Sequence, residues 1–140
     1  MTSAQGYGPD HSSAYGFGLH HVLLAIPAGS EDRCRAFYVD VLGLVELPKP
    51  PALAARGGLW VRADGLELHL GVEAEFRAAR KAHPGIRVLD LDGLAEHLTA
   101  AGIPVSWDNE NFPGHRRCYA DDPVGNRLEF IQRDETIPTW

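Results

Sequence analysis

From Leu19 onward the chain runs through one order of elements twice, and this internal repeat constrains the fold more than any other feature. The first copy opens with LHHVLLAI, an apolar run ended by Pro27-Ala28-Gly29, which reads as a strand and a turn. Cys34, Phe37, Tyr38, Val41 and Leu42 then recur at i, i+3, i+4, i+7 and i+8. That is one face of a helix, with Ser30 placed to cap its first turn and Gly43 to close it. After Leu44 to Leu47 the KPPALAARGG stretch breaks regularity, and GLWVRADGLELHLG reads as two strands around Asp64-Gly65, a tight hairpin dipeptide. The second copy opens with GIRVLDL. A helical stripe of Leu91, Leu94, Ala95, Leu98 and Ala101 follows, started by Asp92 or Asp90 and stopped by Gly102. IPVSWDN, HRRCYAD and Asn126 to Gln132 complete it as three strands.

Each copy is a β-α-β-β-β unit of about 60 residues, too small to bury its own sheet, so the two share one core. The predicted class is α+β, with two βαβββ modules whose mixed sheets curve into a cup. Module one is expected over 19–72 and module two over 83–133, joined by a connection over 73–82 into one domain, 19–133. The Gly- and Ser-rich residues 1–18 are expected as a mobile tail, and residues 134–140 as a short C-terminal one.

Composition narrows the chemistry. A formal net charge of -6 supplies no positive field for nucleic acid, and no run nears the ~18 apolar residues of a membrane span. The two cysteines, Cys34 and Cys118, sit on apolar faces and read as inert buried thiols, so a cytoplasmic protein is expected. Seven histidines in 140 residues are the compositional excess to explain.

The repeat sorts those histidines. His21 lies in the first strand of copy one and His83 opens copy two, 62 residues later; His69 and Glu129 end the two copies, 60 residues apart. Four metal-ligand types thus fall at two equivalent pairs of positions, where pseudo-twofold stacking could gather them at one centre. In LELHLG the leucines share one strand face while Glu67 and His69 share the other, and in NRLEFIQ Glu129 opposes Leu128 and Phe130. Imidazole with carboxylate suits a divalent Zn, Mn, Fe, Co or Ni ion. Stepping by two along the strands also turns Arg62, Arg87, Arg117 and Tyr119 toward the cup, with Trp60 beside Arg62, as candidate substrate-binding residues. His20 points away from His21 in a regular strand, and His11, His97 and His115 are expected in solvent.

These residues resemble the vicinal oxygen chelate superfamily, the glyoxalase/bleomycin resistance/extradiol dioxygenase group. The resemblance rests on LHHVLLAI, RAFYVDVLGL, LELHLG, HPGIRVLDLDGL and, most specifically, DDPVGNRLEFIQ, together spanning residues 19 to 132. It implies a cup in a homodimer, a bound divalent metal, and His21, His69, His83 and Glu129 at the metal-ligand positions. It further implies a lyase, isomerase or dioxygenase that binds neighbouring oxygens of a small substrate, with the metal as Lewis acid and Glu129 as a ligand able to move a proton. Glyoxalase I and methylmalonyl-CoA epimerase carry Glu or Gln where this chain has His69. Fosfomycin-modifying members use ligands equivalent to His21, His83 and Glu129, and extradiol dioxygenases a two-His, one-carboxylate iron site. Bleomycin-type members hold a drug without metal, and here Trp60, Trp107, Phe112 and Tyr119 would stack on it. That metal-free, sequestering reading is the alternative.

Overall fold

The computed structural model describes residues 11–134, so the tail expectation for 1–10 and for 135–140 lies outside the described residues. Two four-stranded mixed sheets are formed. The first contains β1 (Val22–Ile26), β2 (Val45–Leu47), β3 (Leu59–Ala63) and β4 (Leu66–Val72) in the order β1-β4-β3-β2. The second contains β5 (Gly85–Arg87), β6 (Ser106–Asp108), β7 (His115–Asp121) and β8 (Arg127–Arg133) in the order β5-β8-β7-β6. In each sheet the first strand pairs in parallel with the last, and the other pairs are antiparallel. The α+β class and the duplicated module are as the repeat predicted.

Alternation decides which face is dry. Leu66, Leu68 and Leu70 of β4 and Leu128 and Phe130 of β8 turn to a single core that also takes Ile26, Phe37, Tyr38, Leu91 and Leu98. Cys34 and Cys118 are both fully buried in it, as expected, and burial pushes each thiol up.

Several local expectations are corrected. The first helix starts as α1 (Glu31–Arg35) and widens into a π-helical stretch, Ala36–Val41, with Leu42 N donating to Phe37 O at 2.9 Å. Phe37 and Tyr38 of this stretch are both buried in the core, on the face the spacing predicted. Ser30 makes no side-chain cap bond to α1; its hydroxyl donates back to Pro27 O at 2.6 Å. The broken stretch after β2 contains a short helix, α2 (Pro51–Ala54), opened by proline at its first position. Of the two candidate caps for α3 (Leu91–Ala100), Asp90 is the one used, accepting from Gly93 N at 3.0 Å. His97 is exposed but bonded: its Nε2 lies 2.7 Å from Val41 O, tying α3 to the end of the first helix.

A buried polar clamp joins the two halves. Tyr38 donates its hydroxyl to Asp122 Oδ2 at 2.7 Å, while Asp122 Oδ1 accepts from Asn126 N at 2.8 Å and Val124 N at 3.0 Å. Asn126 Nδ2 donates both to Asp122 Oδ2 at 3.0 Å and to Ala25 O on β1 at 2.8 Å. Burial and the neighbouring carboxylate hold the Tyr38 phenol well above its ordinary value, so it stays a donor.

Candidate functional site

On the first sheet, Leu23 of β1 and Trp60 of β3 both stand opposite His69 of β4. His69 is 7% exposed and sits between two rings: His21 at 3.8 Å with planes 16° apart, and Trp60 at 4.1 Å with planes 7° apart. Its Nε2 donates to Glu67 Oε2 at 2.8 Å, and that bond holds the Glu67 carboxyl below its usual range. β1 begins only at Val22, so His20 and His21 precede the regular strand. They do not point apart as a continued strand would have them; their Nδ1 atoms are 2.9 Å from one another.

On the second sheet, Glu129 of β8 is 8% exposed and pairs across with Tyr119 of β7 and Gly85 of β5. His83 lies two residues before Gly85, and its Nε2 comes 2.9 Å from Glu129 Oε1 while its Nδ1 donates to Lys81 O at 2.6 Å. The other carboxylate oxygen accepts from Arg117 Nη1 at 3.3 Å, and Arg117 Nη2 donates to Asp108 Oδ2 at 2.9 Å. Backbone donors from Asn111 and Glu110, then Arg117, lower the Asp108 carboxyl to about 2. Tyr119 stands edge-on to His83 at 5.7 Å, and the Arg127 guanidinium lies 3.9 Å above the Tyr119 ring.

The donor chemistry fits a metal at His83 and Glu129. With Nδ1–H committed to the Lys81 carbonyl, a neutral His83 aims its Nε2 lone pair at a carboxylate oxygen. Two acceptors facing at that distance need a cation between them, a proton or a metal ion. The four expected ligands fall into two pairs, His21 with His69 and His83 with Glu129. Among the described residues, no three His, Cys, Asp or Glu side chains gather where one ion could be held.

The remaining sequence candidates divide. Arg62 is exposed opposite Glu67, and Arg87 is exposed on β5. Arg117 is spoken for by two carboxylates. Trp107 pairs with Cys118 and so lies on the helix-covered face, under the Arg116 guanidinium at 5.2 Å, not in a ligand cup. Asp108, Glu67 and Arg127 were not singled out as site residues. Glu67 shares its strand face with His69, and Arg127 shares the Glu129 face, so the period of two already pointed at both.

A family model for the Glyoxalase/Bleomycin resistance protein/Dioxygenase superfamily matches residues 18–130. A crystal structure of a protein assigned to the glyoxalase family from Bacillus anthracis is 41% identical, with a TM-score of 0.82 over 87% of this chain and 99% of that one. The lactoylglutathione lyase of Agrobacterium tumefaciens is 23% identical, with a TM-score of 0.60 over 81% of this chain and 92% of that one. An antibiotic binding protein from Streptomyces is 24% identical, with a TM-score of 0.64 over 84% and 98% of the two chains. These last two show the fold alone. No curated protein matches. The match over most of the chain, together with a 41% identical relative, places this protein within the Glyoxalase/Bleomycin resistance protein/Dioxygenase superfamily.

Proposed function

We propose that the chain is a metal-dependent enzyme acting on a small molecule with neighbouring oxygens, and that it works as a homodimer. The observation that carries this reading is the His83–Glu129 pair, an imidazole nitrogen 2.9 Å from a carboxylate oxygen with the second imidazole nitrogen pinned by a carbonyl.

Stacking supports dividing the histidines. An imidazole binds an ion through a nitrogen lone pair in its ring plane, with a bond of about 2.0–2.1 Å for zinc. Two nearly parallel rings 3.8 Å apart cannot both hold one ion in plane, so His21 and His69 take different roles. His21, His83 and Glu129 would hold the metal, with His21 coming from one subunit and the other two from its partner. The separation of the two pairs within one chain supports that sharing. So does the outer edge of β5, which no strand among the described residues pairs.

A divalent ion there supplies positive charge for an oxyanion formed on the substrate. His69 moves the proton. Glu67 holds its Nε2–H, so Nδ1 carries the basic lone pair, and the rings of His21 and Trp60 keep the imidazole from turning. Tyr119 and Trp60 offer flat apolar surface to the substrate body.

Elemental analysis of dimeric protein purified without chelator or tag-derived metal is the test. About one transition metal per chain is expected, lost in His83→Ala and Glu129→Ala and kept in His69→Ala, which loses turnover only. A metal-free wild type that binds aromatic drugs overturns the reading in favour of sequestration.

A further inference from the structure

A cleft of about 490 Å³ runs along the edge of β1 that no strand among the described residues pairs, roofed by the connection between the two halves. Its walls are apolar, from Val22, Leu24, Ala79 and Ala82, and its size is that of a small-molecule pocket. His83 lines it, and so do Arg77 and Arg127. Among the described residues neither arginine has a carboxylate within ion-pair distance, in contrast to Arg35, Arg116 and Arg117. Arg127 borders this cleft and a neighbouring one, where its guanidinium carbon lies 3.9 Å over the Tyr119 ring, a contact that leaves its charge unneutralised. Glu73 also lines the cleft, and Asp121 stands across the strand pair from Arg127. Their charge opposes a dianion, so a single negative charge suits the cleft better than a phosphate.

We infer that this cleft binds a monocarboxylate with a short apolar body, its carboxylate between Arg77 and Arg127 and its body against β1. Arg127 is two residues from Glu129 on one strand face, a spacing of about 7 Å. On the metal reading above, the bound molecule is a substrate, since His83 lines the same cleft as the two arginines. The inference rests on that reading for the word substrate only.

Titration calorimetry of chelator-stripped, full-length protein with hexanoate and with 1-hexanol separates the two. Hexanoate binding is expected, with hexanol at least tenfold weaker because it keeps the body and lacks the charge. Arg127→Met lowers hexanoate affinity tenfold or more and leaves hexanol unchanged, Arg127→Lys recovers most of it, and Arg77→Met, in the exposed connection, repeats the loss without touching β8. Absence of hexanoate binding, equal affinity for the two probes, or full binding in both methionine variants overturns the inference. Because no ion is present, this outcome is independent of the metal content measured above.

Discussion

Asp108 is a small acid with a large share of the local order, since it accepts from Glu110 N, Asn111 N and Arg117 and so ties the turn after β6 to the Glu129 side of the site. Those donors favour its charged form, which lowers the carboxyl from 3.8 to about 2. A group depressed in this way contributes stability that is fully present above about pH 3.8 and fades as pH falls toward 2. Asp108→Asn should therefore melt below wild type at pH 6, with the difference closing between about pH 4 and 2. Melting curves across that range check it; a gap that stays constant with pH would refute the assignment. At this scale the pairing of Glu67 with His69 is legible from the period of a strand. The contact between His20 and His21 is not, because the chain leaves the ladder before Val22 although β4 runs on to Leu66 beside it.

Between elements, the clamp around Asp122 carries the contact that joins the first helix, β1 and the β7–β8 turn. Tyr38→Phe removes one donor from a carboxylate that is 4% exposed and should cost about 1–3 kcal/mol. Asn126→Ala strips a second donor from the same oxygen and frees the Ala25 carbonyl. The two losses should couple by about 0.5 kcal/mol or more in a double-mutant cycle, read by urea denaturation; strict additivity would show that the residues act apart. The DDPVGNRLEFIQ run was informative as a pattern, yet its physical use, a carboxylate turned inward to meet a tyrosine 84 positions away, involves a partner no local window contains.

For the whole molecule, the sharing of a site between subunits makes a sharp prediction. His21→Ala and His83→Ala homodimers should each be metal-free, but unfolded together and refolded at equal ratio they form mixed dimers in which one site carries neither substitution. About one site in four should then regain metal, measured by elemental analysis of the refolded pool. No recovery would place all ligands within one chain. The duplication, the α+β class and the strand face on which His69 and Glu129 stand were readable from sequence alone, because apolar periodicity and turn chemistry act over a few residues and leave a local mark. The π-helical turn, the true start of β1, the neutralisation of Arg117 and the division of four ligand-type residues into two separate pairs were decided only by tertiary structure. Each depends on what a distant segment places beside the residue, and distance in space is not written in spacing along the chain.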